Sequence, residues 1–399
     1  MDTNLIKTTL AQEAEQEVKE NILKFWSEKT IDSKNGGFLG SVENNLSINQ
    51  EAPKSSVLNT RILWTYSKAY NMFGDKEYLT LANRAYNFIK TSLWDQEYGG
   101  LFWMLDYMGN PINTKKQIYA QAFGIYALSE YYLATKNEES LEYAIKLYNL
   151  IEKYSYDQKD KGYFEACTRE WETTNDLQLG PGEMNEKRSM NTHLHILEAY
   201  TNLYRVWKDE KFKGQFQELI KVTLDNIVDH ETHHFKMFFD EQWNSKSEVI
   251  SYGHDIEGSW LLFEAAQVLG EEKLLKRTKE TACLMAQKIY EQAIDEDGAV
   301  INERFEDGTL DEERIWWVQA EAVVGFINAY EMTGSLHFLQ AANETWNFIK
   351  GYMIDKKHGE WFYNVSKEGK PNNDYLKVGP WKCPYHNSRA CFEIVDRMK

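Results

Sequence analysis

Apolar positions recur at helical spacing along the chain, in two interleaved sets of segments. One set covers residues 6–28, 76–93, 138–154, 211–228, 271–292 and 335–352. The other covers 56–73, 117–134, 191–207, 255–269, 316–333 and 387–397. Apolar residues three and four apart put one face of each segment toward a core, so twelve helices are predicted. In the segment 191–207 the stripe is Leu194, Leu197, Thr201 and Tyr204, widened by Ala199 and Leu203. Asn191 is its predicted N-cap, since a short amide accepts well from a free backbone N–H. His193 and His195 stand about 200° apart around the helix axis and cannot share a face. One is expected to face a cavity and the other to pack.

The polar stretches between the helices repeat. Asp32-Ser-Lys-Asn-Gly-Gly-Phe38, Asp95-Gln-Glu-Tyr-Gly-Gly-Leu-Phe102 and Asp157-Gln-Lys-Asp-Lys-Gly-Tyr-Phe164 share an aspartate, glycine and aromatic ring. Asp229-His-Glu-Thr-His-His-Phe235 is a degraded copy, followed by Asp295-Glu-Asp-Gly-Ala-Val300 and Asp355-Lys-Lys-His-Gly-Glu-Trp-Phe362. The leading aspartates lie 63, 62, 72, 66 and 60 residues apart, which indicates a repeat architecture. These segments read as hairpins or loops. Six helical hairpins predict an all-α (α/α)6 barrel, with one helix set inside the other. An open solenoid is the alternative. No linker divides the chain, so residues 1–399 read as one catalytic domain, and six prolines suit so helical a sequence.

Composition narrows the function. A net charge of −17 with no basic patch argues against nucleic acid and anionic membranes as partners. No apolar run is long enough to span a bilayer and no signal-like segment opens the chain. The four cysteines form no disulfide-like framework, so a cytoplasmic location is expected. Monomer is the expected state. Aromatic residues make up 14%, which serves a core and also suits a sugar site, where flat rings stack on sugar faces.

The candidate chemistry lies near the starts of the second helix set. Arg61, Tyr119, Asn191 with His195, His254 with Glu257, Trp316 with Trp317, and His386 all fall there. If those helices run parallel inside a barrel, these residues meet at one mouth, with helix N-termini aimed at one pocket. Alone, Arg61 could be a structurally paired arginine, and Tyr119 and Trp317 are more often core residues than ligand-binding ones. Imidazoles suit proton transfer near neutral pH, and two of them on opposite sides of a carbon would invert it. His230-Glu-Thr-His-His234 matches a zinc-protease pattern, but it falls on a connection rather than a helix, so no metal is expected. With 62 acidic residues, a glycosidase carboxylate pair is uninformative.

Four motifs resemble cellobiose 2-epimerases of the N-acylglucosamine 2-epimerase superfamily. They are Met190-Asn-Thr-His-Leu-His-Ile-Leu-Glu-Ala-Tyr200, Ser251-Tyr-Gly-His-Asp-Ile-Glu257, Trp316-Trp-Val-Gln-Ala-Glu321 and Trp381-Lys-Cys-Pro-Tyr-His-Asn-Ser-Arg389. The resemblance spans nearly the whole chain and implies the same barrel. It implies C2 epimerisation of the reducing-end glucose of β-1,4-linked disaccharides such as cellobiose, lactose or mannobiose, without a cofactor because nothing is oxidised. It makes His254 and His386 the acid/base pair, His195 a ring-opening residue and Arg61 the stabiliser of the enediolate. Tyr119, Asn191 and Glu257 would bind hydroxyls or orient the histidines, Trp317 and Trp381 would stack on the sugar, and Trp361 would stack on the non-reducing ring. Rival expectations are an N-acylglucosamine 2-epimerase, a mannose or aldose–ketose isomerase, a glycoside hydrolase on the same fold, and a non-catalytic glycan-binding barrel.

Overall fold

The protein is described by a computed structural model covering residues 3–399. Twelve helices alternate between two rings among the described residues. The inner ring comprises α2 (Ser56–Phe73), α4 (Ile118–Thr135), α6 (Met190–Val206), α8 (Tyr252–Leu269), α10 (Trp316–Thr333) and α12 (Tyr385–Met398). The outer ring comprises α1 (3–29), α3 (76–93), α5 (Glu138–Tyr154), α7 (210–227), α9 (Glu272–Gln292) and α11 (336–353). Each inner helix packs on the next, and α12 packs on α2, so the ring closes.

The two sets differ because they meet different surroundings. In α4 every residue from Ile118 to Tyr131 is buried, as an inner helix covered on all sides requires. In α5 only Ser140, Ala144, Leu147, Tyr148 and Ile151 are buried, a single stripe toward the inner ring. Four outer helices contain π-helical turns, at Glu17–Leu23, Ile89–Leu93, Thr223–Ile227 and Ile349–Met353. In the last three the wide turn ends the helix and feeds the hairpin beyond it.

Each Gly-aromatic segment is a tight hairpin that opens directly after an outer helix. Its bridges are Ile31 with Phe38, Trp94 with Leu101, Tyr156 with Tyr163, Val228 with Phe235, Ile294 with Val300 and Ile354 with Trp361. Glycine is required where another element presses close. Gly162 has a φ of +76°, and a Cβ there would sit 2.4 Å from the Trp243 ring. The leading aspartate caps the turn with one oxygen and pairs with a buried cation through the other or the same carboxylate. The pairs are Asp32–Lys54, Asp95–Lys116, Asp157–Arg188, Asp295–Arg314 and Asp355–Lys377. The degraded fourth copy lacks a buried partner, and Lys236, still 38% exposed, stands 3.6 Å from Asp229.

The first four of these cations sit on short strands that lead into the inner helices, and Lys377 directly precedes the bridge residue Val378. Each strand pairs with the hairpin region of the next repeat: Lys54–Ser55 with Met104–Leu105, Lys116–Gln117 with Ala166–Cys167, Arg188–Ser189 with Phe238–Phe239, Ile250–Ser251 with Glu303–Arg304, and Arg314–Ile315 with Asn364–Val365. The last seam is Val378 with Val42, which exchange hydrogen bonds of 3.0 Å in both directions. This belt encircles the end where all six inner helices begin.

Candidate active site

Because the inner helices share a direction, residues at equal depth in them face one another. The second, third and sixth positions converge on a cavity of about 170 Å³. Its walls are Arg61, Tyr119, Asn191, His195, His254, Glu257, Trp316, Trp317, Tyr363, Trp381 and His386. Of the residues expected from sequence, all meet there except Trp361. That indole is fully buried beneath the wall, donates from Nε1 to Glu17 at 2.8 Å and packs near Trp346. It stands on the side of the last hairpin that faces the outer helices α1 and α11, and so it offers no stacking face to the cavity.

Helix starts also need correcting. Asn191 is not the N-cap of α6. Ser189 is extended and its Oγ accepts from Thr192 N–H, which makes Asn191 the second helical residue. Its Oδ1 is buried and unpaired among the described residues, as is Trp316 Nε1 on the same cavity. His254 and His386 lie inside the first turns of α8 and α12, since both helices begin about three residues before the apolar pattern does. Pro384 tolerates that position because a helix start needs no N–H there. As expected, the two histidines of α6 divide. His195 faces the cavity, while His193 accepts from Tyr163 N–H at 2.9 Å and donates from Nδ1 to the Ser189 carbonyl.

The same fourth helical position serves the wall elsewhere. Gln121 and Gln319 clamp both backbone groups of Leu101 and Val300, and Asp255 accepts from Phe235 N–H. Asp255 also takes Nδ1 of His234, so the zinc-like stretch is bound up in the hairpin. It runs through a turn, with His233 at a φ of +62°, and the helix geometry a zinc pair needs is absent.

Each cavity imidazole is oriented through Nδ1. His195 pairs with Glu198 at 3.0 Å, His386 with Glu321 at 2.7 Å, and His254 with the Ser251 hydroxyl at 2.8 Å. A carboxylate can only accept, so His195 and His386 carry hydrogen on Nδ1 and leave Nε2 free as a base. Burial, helped by His195, holds His254 at about 3. Burial with the charges of Arg61 and Arg389 holds His386 well below the ordinary imidazole value. Both are therefore neutral near pH 7.

Arg61 is the cation of the cavity. Its Nη2 donates to Tyr119 Oη at 2.8 Å, Nη1 lies 3.8 Å from the Cys383 sulfur, and the guanidinium lies over the Phe123 ring at 4.2 Å. Among the described residues it has no carboxylate partner. A buried, unneutralised guanidinium favours a developing anion beside it.

Beneath the cavity lies a network of which the sequence singled out only Glu257. Arg389 bridges Glu198, Glu257 and Glu321, and Tyr385 joins it. Burial and the neighbouring Glu321 push Glu257 up to about 7. Burial also opposes ionisation of Glu198, but Arg389, His195 and Tyr385 outweigh it and hold it at about 2. Glu257, Glu321 and His386 lie close enough to hold a metal ion. The guanidinium already spans the two carboxylates, at 2.5 and 2.7 Å, and a cation would have to displace it. Carboxylates inside apolar helices, at the sixth position of α8 and α10 and the ninth of α6, were the available signal for this network.

Residues 37–390 match the model of the N-acylglucosamine 2-epimerase (GlcNAc 2-epimerase) family. A protein named cellobiose 2-epimerase from Bacteroides fragilis is 45% identical over 386 residues, covering 97% of this chain and 98% of that one. A cellobiose 2-epimerase from Ruminococcus albus is 42% identical, covering 97% and 99%. The solved structure of cellobiose 2-epimerase from Bacillus thermoamylovorans superposes with a TM-score of 0.94 at 41% identity, covering 98% and 100%. An α-mannanase from Bacteroides thetaiotaomicron, at a TM-score of 0.65 and 13% identity, shares the fold alone. No helix among the described residues is long and apolar enough to cross a membrane. The chain belongs to the N-acylglucosamine 2-epimerase family and is a carbohydrate epimerase.

Proposed function

We propose that the chain inverts C2 of the reducing-end glucose of β-1,4-linked disaccharides, turning cellobiose into glucosyl-mannose and lactose into epilactose. The observation that carries this reading is the pair of buried, neutral imidazoles, His254 and His386, on one cavity with an unneutralised Arg61. A C2 proton beside an aldehyde becomes removable only when charge on the C1 oxygen is stabilised. Arg61 is the cation for that task, with the N-termini of the inner helices adding to it.

His195, backed by Glu198, assists ring opening. One imidazole Nε2 then takes the C2 proton, and its electron pair forms the C1–C2 double bond of a cis-enediolate. The other imidazole takes up a proton from solvent at Nε2 and delivers it to the opposite face of C2, and the first imidazolium releases the C2 proton to solvent, so charge balances over the turnover. Tyr119, Asn191 and Glu257 hold hydroxyls or orient the histidines, and Trp317 and Trp381 stack on the sugar. Drug-sized pockets run from about 300 Å³. The cavity here is about 170 Å³, so it takes the reacting ring and leaves the second ring at the mouth. No step calls for a cofactor. The chain acts as a monomer of one domain in the cytoplasm.

A glycoside hydrolase is less well supported. Glu257 and Glu321 are bound to one guanidinium instead of flanking a bond from two sides. The test is proton NMR of the protein with cellobiose in D2O containing EDTA. The expected result is deuterium at C2 of the reducing glucose and a growing mannose-type anomeric signal. His254→Asn and His386→Asn each slow inversion by about 10²–10⁴-fold. Free glucose as the product would overturn the proposal.

A further inference from the structure

Three of the strands leading into inner helices end in serine, and their hydroxyls are used differently. Ser55 accepts from Leu58 N–H and Ser189 accepts from Thr192 N–H, so both cap their helices three residues on. Ser251 occupies the same place before α8, and its third residue onward is His254. Here the hydroxyl makes no cap. It turns to the His254 ring instead, 2.8 Å from Nδ1. Capping the free N–H groups stabilises a helix start, so a serine in capping position that leaves the backbone N–H for an imidazole departs from the local rule. Such departures concentrate at functional sites.

The hydroxyl has a second neighbour. Ser251 lies directly across the inter-repeat ladder from Glu303, and its side chain favours the ionised form of that carboxylate, which burial opposes. A hydroxyl carries one hydrogen. If it is given to the Glu303 carboxylate, the oxygen can only accept from the ring, and Nδ1 must carry the imidazole hydrogen. The nitrogen left to the cavity is then Nε2, with its lone pair free.

We propose that Glu303 and Ser251 are positioning residues that lock His254 into the tautomer able to take a proton at Nε2. This rests on the C2-epimerase reading. When the C2–H bond breaks, its electron pair goes into the enediolate and the proton joins Nε2. The imidazolium keeps its Nδ1–H on Ser251, and Ser251 keeps its O–H on Glu303, so no further proton has to move. His386 is backed by a full carboxylate, Glu321 at 2.7 Å, and His254 by a hydroxyl that relays one. The two proposed bases therefore depend on different supports and can be impaired separately.

The experiment follows C2–H washout into D2O from cellobiose and, separately, from glucosyl-mannose. The proteins are the wild type, Ser251→Ala, Ser251→Thr and Glu303→Ala, each checked for folding by circular dichroism. Loss of an outer partner to a functional histidine costs about 10–100-fold. Ser251→Ala and Glu303→Ala are expected to slow washout by that factor from the one epimer that His254 deprotonates. Washout from the other epimer stays near wild type, KM changes little, and Ser251→Thr restores the rate. Nitrogen-15 spectra of the histidine rings are expected to show a neutral His254 protonated at Nδ1, with tautomer mixing in Ser251→Ala.

Unchanged washout in Ser251→Ala, an equal fall for both epimers, or a rise in KM with kcat kept in Glu303→Ala would each overturn the proposal. Absence of washout by the wild type would instead sink the epimerase reading. The nitrogen-15 spectrum needs no substrate and would then decide the relay alone.

Discussion

Burial at His254 has a consequence for pH. An imidazole accepts a proton only while it is neutral, and the neutral form is complete above its pKa and lost as pH falls through it. Here burial and His195 set that value at about 3, far under the ordinary 6.5. The acid limb of kcat/KM is expected well below pH 6.5 in the free enzyme, as measured by initial rates at constant ionic strength with folding monitored. A limb at 6.5 would mean that the base is solvated. The same shift makes His254 a source of stability that is present above the unfolded value and lost toward acid. Trp361 carries the opposite prediction. Its indole supports the wall through Glu17 and does not touch the cavity. Trp361→Phe is expected to cost about 0.5–1.5 kcal/mol in denaturant unfolding, the net worth of one hydrogen bond, because Asn21 still donates to the same Glu17 oxygen, and to leave KM for cellobiose unchanged.

Elements explain which residues were legible. Helical periodicity placed all twelve helices within a few residues, because each buries an apolar stripe or an apolar cylinder. The repeated aspartates located the hairpins, yet their partners Lys54, Lys116, Arg188, Arg314 and Lys377 lie 19 to 31 residues on and carry no local signal. Convergence of helix starts collected the cavity residues. It could not find Tyr363, which comes from a hairpin, or the role of Arg389, which closes the last motif a turn beyond His386 and points beneath the cavity. Trp361 was misplaced because an aromatic ring in a hairpin looks alike whether it faces the cavity or the outer helices. Glu165 illustrates how hairpin and helix are joined. It accepts from Ser189 N–H at 2.6 Å and Thr192 Oγ at 2.5 Å at the start of α6, and burial pushes it up to about 8. Its folded value lies above the unfolded 4.5. Stability from this group is therefore full below about 4.5 and lost as pH rises through about 8, at up to about 1.4 kcal/mol per pH unit. Glu165→Gln removes the titration. Against wild type, its denaturant midpoint is expected to improve steadily between about pH 5 and about pH 8. Parallel pH curves for the two proteins would show that Glu165 is not buried uncharged.

At the scale of the whole molecule, closure decides how the chain comes apart. In an open array each end repeat has one neighbour, and unfolding can begin there and proceed in steps. Here α12 packs on both α10 and α2, and Val378 pairs with Val42 to seal the belt. The outer helix α1 covers α12, and its Trp26 donates to Glu360, which also takes Lys382 and Asn387 from the final repeat. First and last repeats are thus one structural unit, and every repeat is held from two sides. Losing any one removes two interfaces at once, which disfavours partly folded states. Unfolding in guanidinium is expected to be a single transition. Tryptophan fluorescence, far-ultraviolet circular dichroism and loss of epimerase activity should share one midpoint. A distinct early loss of activity with helicity retained would mean that the seam at Val42 and Val378 opens before the rest, and that the ring behaves as a solenoid.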